Sequence, residues 1–237
     1  RRGARLPPLL CLYYFSLFAA AGIYAPYLSL YTRGLGFTSL QIGLLAALSP
    51  LRKIFCPPLW GGIADRTGRR KGLILLATAL SVAAFSILFE ATAFLPVAIA
   101  LLFYAFFHAP ILALSETVVL EQSVREGFEY GRVRAWGSVG YLLATALLGK
   151  VMDVSSLRSF VTAFVADSLL QLATAWLLPS AAGPRAVRSG HEVLGQLRRR
   201  EVQAFLLVCT LMELSHSAYH GFFAVYLSEA GYSKTLL

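Results

Sequence analysis

Residues 61–71 read Gly61-Gly62-Ile63-Ala64-Asp65-Arg66-Thr67-Gly68-Arg69-Arg70-Lys71, with apolar runs at 40–60 and 72–92 on either side. Each run matches the roughly 20 residues a helix needs to cross about 30 Å of hydrocarbon. A hairpin of two spanning helices therefore closes through this short stretch. Gly68 permits a tight reversal. Asp65 is placed to cap the following helix or to pair with a cation from a neighbour. Arg66, Arg69, Arg70 and Lys71 resist passage through lipid and hold the loop on one side.

Outward from this hairpin, five more apolar runs lie at 8–30, 95–117, 136–153, 158–178 and 202–228, giving seven spans in chain order. Only helices and closed barrels satisfy their backbones within lipid, and continuous runs rather than alternating ones are helices. Composition agrees: 57% of residues are hydrophobic, 14% are charged and the mean hydropathy is +0.67. A soluble domain carries about 25% charged residues. The net charge of +9 does not signal nucleic-acid binding, because the basic residues sit in short loops rather than on one soluble face. Cys11, Cys56 and Cys209 lie within apolar runs and show neither metal nor disulfide spacing. With no P-loop, nucleophile motif or metal cluster, neither an enzyme nor an ATP-driven pump is expected, and no cofactor or metal.

Cation distribution sets orientation. Fourteen lysines and arginines fall on the side of the 61–71 loop: Arg1, Arg2, Arg5, the four in the loop, Arg125, Arg132, Arg185, Arg188, Arg198, Arg199 and Arg200. Four (Arg33, Lys150, Arg158, Lys234) fall on the other. The rich side is expected to be cytoplasmic, with the N-terminus inside and a plasma or inner membrane as host. The segment 179–201 holds Pro179, Gly183, Pro184, Gly190 and five arginines, and reads as a basic cytoplasmic linker. The expected organisation is a six-helix bundle over 1–178, this linker, and one further helix over 202–237. Starting without methionine and ending beside a helix junction, the chain is expected to be an excerpt of a longer protein.

Span 7 echoes span 1. Gly22-Ile23-Tyr24-Ala25-Pro26-Tyr27-Leu28-Ser29 matches Gly221-Phe222-Phe223-Ala224-Val225-Tyr226-Leu227-Ser228. Repetition after six spans and a linker is the mark of two parallel six-helix halves. The 61–71 loop also resembles the G-x-x-x-D-R-x-G-R-R signature of the major facilitator superfamily, in its expected place. That resemblance implies a major-facilitator-type bundle, part of a 12-helix transporter. It also implies that Gly61, Asp65, Arg66, Gly68, Arg69 and Arg70 form a conformational latch remote from solute. The stretch Tyr130-Gly131-Arg132-Val133-Arg134-Ala135-Trp136-Gly137-Ser138 resembles the branch containing lactose permease, phenylpropionate permease and the nucleoside–proton symporters. By that resemblance Glu116 and Arg134 are a solute-binding pair. Tyr141 stands where lactose permease carries a sugar-stacking tryptophan, a departure that weakens a sugar assignment.

The residues point to the same region. Span 4 descends and span 5 rises, so Glu116 and Arg134 lie at similar depth, and a charge in lipid costs several kcal/mol unless paired. Ser138 and Tyr141 follow Arg134 on one face of span 5. A structural bridge between the spans is the competing reading. Arg52 lies about 13 Å into the membrane from Gly61; a cation there favours an anionic solute or a carboxylate partner, while Lys53 points elsewhere. Asp167, Gln171 and Thr174 share a stripe on span 6. Glu213, His216, Ser217 and His220 share a face of span 7. Carboxylates beside histidines in lipid are candidates for a proton relay, with polar helix contacts as the alternative. His108 reads as a packing residue, Glu90 as interfacial, and Gly137, Gly140 and Ala144 as close-packing positions.

The expectation is therefore a monomeric secondary transporter of a small polar or anionic solute, an organic acid, nucleoside or sugar. It would be coupled to protons and work by alternating access. The alternatives are efflux of amphipathic compounds by antiport, or a transporter-like receptor or scaffold that moves nothing.

Overall fold

The computed structural model describes residues 6–179 and 198–232, apart from the side chains of 49–51, 53–54, 217–218 and 220–221. Nearly all of the expected linker therefore lies outside the described residues, as do the side chains of Lys53, Ser217 and His220. Among the described residues the chain is helical and contains no strand. Its helices are α1 (Pro8–Gly34), α2 (Ser39–Ala46), α3 (Leu48–Thr67), α4 (Arg70–Ser86), α5 (Phe94–Glu126), α6 (Tyr130–Val154), α7 (Arg158–Leu177) and α8 (Arg200–Glu229). Five are long and apolar enough to cross a membrane: α1, α4 with its terminal 3-10 turn, α5, α6 and α7. The protein is an all-α integral membrane protein.

The apolar run at 40–60 differs from expectation, since it is divided between α2 and α3 at Ala47. Thr38 and Gln41 close a capping box that starts α2. Pro50, in the first turn of α3, has no N–H to bond back across the junction, so the helix is interrupted where that bond would have bridged the two pieces. The expected fifth span also begins earlier than its apolar run, at Tyr130. Gly127, with φ of +74°, stops α5, and α6 follows at once, so Arg132 and Arg134 are helical.

Helix α1 is central. It packs on α6, α7 and α8, while α5 lies between α3 and α4. Contact between α1 and α6 depends on missing side chains. A Cβ on Gly22 would lie 2.5 Å from the carbonyl oxygen of Tyr141, and one on Gly137 would lie 2.5 Å from the Phe18 ring. A Cβ on Gly140 would collide with the backbone of Phe15. Two hydrogen bonds fasten the close approach: Tyr27 OH donates to the Thr145 carbonyl at 2.7 Å, and Thr145 Oγ1 donates to the Gly22 carbonyl at 2.9 Å. In lipid, where apolar burial gives helices no reason to associate, such close packing and bonding hold them together.

The buried residues form two groups. One, around Tyr27, Tyr31, Phe85, Tyr104, Phe160 and Phe164, fills the half of the bundle near the ends of α1 and α7 that carry Gly34 and Arg158. The other, around Tyr13, Tyr14, Ile74, Ile111, Val119 and Val133, fills the half near Asp65 and Arg70, called the basic end below. Helix α8 sits on the bundle by its second half, where Ala224 and Val225 are buried; almost all of Glu201–His216 is exposed. Arg33 at the end of α1 pairs with Glu229 at the end of α8 at 2.7 Å.

Candidate functional site

At the basic end, Gly68 adopts φ of +63° and closes α3, so the tight reversal read from the sequence is present and needs a glycine. Asp65 does not cap α4, whose N-terminus has no side-chain cap. It faces Arg70 at 3.9 Å instead. Arg70 is only 3% exposed, and its Nη1 reaches Glu121 Oε1 on α5 at 3.0 Å. The buried arginine thus ties three helices together at the basic end. Arg66 and Arg69 are exposed, and Gly61 has open space where a side chain would stand. Glu121 is a partner that the sequence does not single out. The available signal was a carboxylate at the end of span 4 that faces a basic loop.

Glu116 and Arg134 lie on the successive helices α5 and α6, but they do not form an ion pair. Glu116 accepts a hydrogen bond from Tyr130 OH at 3.4 Å. The Arg134 guanidinium lies over the Phe18 ring of α1, 3.8 Å from its centroid. Tyr14 lies between, its ring 6.2 Å from both Tyr130 and Phe18. The expected pair is therefore two separate charges divided by an aromatic strip. Cation–π contact offsets part of the cost of an unpaired guanidinium. Ser138 is exposed, and Tyr141 is partly buried, with Tyr219 of α8 in electrostatic range.

Closer to the middle of the bundle, Arg52 of α3 hydrogen-bonds His108 Nδ1 of α5 at 3.2 Å. The Tyr104 side chain lies beside the same guanidinium. The Tyr104 ring stands 5.0 Å from those of Tyr24 and His108. His108 is thus no mere packing residue, as its solitary position in span 4 suggests; its partner lies 56 positions away in sequence. Helix α5 runs Phe94–Glu126, so its midpoint is Pro110. His108 lies beside that midpoint, whereas Glu116 is about 12 Å nearer the basic end.

On α7, Gln171 and Thr174 are buried and Asp167 is partly so, which agrees with one inward stripe. Asp167 Oδ2 and Gln171 Nε2 are buried without hydrogen-bond partners. Tyr13 OH and Ser115 Oγ, 2.5 Å apart, lie beside Gln171. Glu213 and His216 lie on the exposed part of α8, where His216 Nδ1 approaches the Met212 carbonyl at 2.8 Å. The structure thus brings Arg52 and His108 together and gives Glu116 and Arg134 different partners, while Glu213 and His216 lie on the exposed part of α8.

A profile of the MFS_1 like family matches residues 9–237. A protein described as "Probable 3-phenylpropionic acid transporter" from Escherichia coli is 30% identical over 233 residues, covering 95% of this chain and 60% of that protein. "Maltose permease" from Geobacillus stearothermophilus is 28% identical over 227 residues, covering 94% and 57%. Among solved structures, "Crystal structure of nucleoside transporter NupG" superposes with a TM-score of 0.80 at 18% identity, covering 93% of this chain and 57% of that one. The chain spans a little over half the length of these relatives.

Proposed function

Since the chain belongs to the MFS_1 like family, we propose that it is the first half, with the opening helix of the second, of a secondary active transporter. The solute is small and polar or anionic. It binds in the space bordered by α1, α3, α5 and α6, with Arg52, Glu116, Arg134, Ser138 and Tyr141 as its binding residues. Alternating access would come from rocking of two bundles about that site. The observation that carries this reading is the retention of Glu116 and Arg134 within spans, and of Arg52 against the middle of α5, without ion-pair partners among the described residues. A charge at the centre of a membrane helix costs about 2.5–3.5 kcal/mol on insertion scales, and a receptor or scaffold has no use for that cost.

The relatives carry names of an organic-acid, a sugar and a nucleoside transporter, which supports a small-solute carrier and leaves those three classes as the panel to test. Proton coupling is the companion proposal. Asp167, with a buried and unpartnered carboxylate oxygen, is its best-supported carrier; Glu213, His216 and His220 are further candidates. The linker 179–201 and the 61–71 loop are cytoplasmic, the host is the plasma or inner membrane, and the protein acts as a monomer.

The test is uptake by full-length protein in proteoliposomes, with 3-phenylpropionate, maltose and uridine, with and without an imposed proton gradient. Accumulation of one solute, enhanced by the gradient and lost in Asp167→Asn, is expected. No uptake of any solute by correctly inserted protein would overturn the carrier assignment. Uptake indifferent to the gradient would remove the coupling alone.

A further inference from the structure

We propose that Arg52 is the anion-recognising group of the solute site, held in place by His108, and that its ligand is the carboxylate of an acid with an apolar or aromatic body. This rests on the carrier reading above and narrows its solute to one of three classes.

The argument begins with donors and acceptors. A guanidinium has donors only, so in the Arg52–His108 contact the histidine Nδ1 must accept. The imidazole is then the neutral tautomer, with its proton on Nε2. That Nε2 is buried and has no hydrogen-bond partner. Tyr104, 2% exposed, is neutral as well. Both groups beside Arg52 are thus uncharged, and no acidic side chain among the described residues pairs with it. The cluster keeps a full positive charge near the middle of the bundle and has spare donors, with no counter-ion among the described residues. Arg52 itself is only partly buried, which leaves guanidinium N–H groups open to a ligand.

The shape of the complement follows. A planar fork of N–H groups matches a carboxylate bidentately. Beside it, the Tyr24, Tyr104 and His108 rings succeed one another at 5.0 Å spacings and form an apolar wall. Maltose and a neutral nucleoside bring hydroxyls and no charge, so neither uses the unpaired cation. An acid with an apolar body uses both features. Arg70, also within this bundle, has its carboxylates supplied by Asp65 and Glu121, which is the arrangement Arg52 lacks. His108 is a positioning residue, acting through the guanidinium.

The experiment measures binding to purified full-length protein by calorimetry, with sodium 3-phenylpropionate, sodium hexanoate and the two corresponding amides as probes. The acids are expected to bind roughly 30-fold tighter than their amides, the scale of one charge-assisted hydrogen bond. Arg52→Gln should bring acid and amide to equal affinity. His108→Leu should reduce the preference, and His108→Gln, which keeps an acceptor for Arg52, should restore it. An acid-to-amide ratio unchanged in monodisperse Arg52→Gln protein would overturn the assignment, as would failure of every acid to bind the parent protein. If Arg52→Gln does not stay monodisperse, the His108→Leu and His108→Gln pair decides by the same ratio. The carrier reading fails separately: acids that bind with Arg52-dependent preference yet never enter vesicles would sink transport and leave the anion centre standing.

Discussion

At the scale of single residues, the informative cases are charges whose partners are not the expected ones. Glu116 and Arg134 lie on successive helices, yet one is held by Tyr130 and the other by Phe18. Removing both charges therefore breaks no ion pair and leaves no orphaned buried partner. Glu116→Gln/Arg134→Gln protein is expected to insert and remain monodisperse, but to bind solute about 10- to 100-fold more weakly, the range for charged hydrogen bonds. Near-normal affinity in a binding titration would confine the pair to bundle architecture. Arg70 and Asp65 make a contrasting case. Arg70 is 3% exposed and bonds Glu121 at 3.0 Å, while Asp65 is 42% exposed at 3.9 Å. Arg70→Gln leaves Glu121 without its cation and should cost about 3 kcal/mol or more of stability. Asp65→Asn should cost under about 1 kcal/mol while slowing turnover. Thermal melts in detergent, beside uptake rates, would read the two apart; equal melting losses would remove the distinction.

At the scale of elements, α1 and α6 behave as one piece. Their approach is set by Gly22, Gly137 and Gly140, and sealed by the two hydrogen bonds through Thr145. A Cβ at Gly140 meets backbone, which cannot swing aside as a side chain can. Gly140→Ala is therefore expected to lower the melting temperature by several degrees and Gly140→Val to abolish recovery of monodisperse protein. Gly61→Ala, where space is open, should be neutral. Melting and size-exclusion profiles check the series, and a harmless Gly140→Val would mean that the two helices are less closely joined than drawn. The interruption at Ala47 is the element-scale feature that apolar counting misses, because Pro50 acts through an absent N–H and not through hydrophobicity.

At the scale of the whole molecule, the bundle is legible in the sequence because lipid demands continuous apolar runs, and the turn after α3 is legible because only glycine tolerates its φ. The stripe formed by Gln171 and Thr174 is legible too, since helical periodicity is local. What escapes is any contact between residues distant in the chain. Arg52 with His108 and Arg70 with Glu121 are separated by 56 and 51 positions, and no periodicity links them. The early start of α6 escapes apolar counting for another reason: Arg132 is charged and lies outside the apolar run, while Gly127 ends the preceding helix just before it. Orientation belongs to this scale as well. A cysteine placed at Ser189, in a chain with Cys11, Cys56 and Cys209 replaced, is expected to resist an impermeant thiol reagent applied to intact cells. It should react once the membrane is opened. Ready labelling from outside would invert the whole topology.

The pairing of Arg33 with Glu229 joins the end of α1 to the end of α8, at the opposite end from Arg70. Both side chains are about half exposed, and an exposed pair contributes only about 0.2–1 kcal/mol. That shifts a two-state population by a factor of about 1.4 to 5. Such a clasp biases an equilibrium without trapping it, and salt weakens it further. Whatever arrangement it favours is left again at thermal cost, which suits a joint that would open once in every cycle of the proposed carrier.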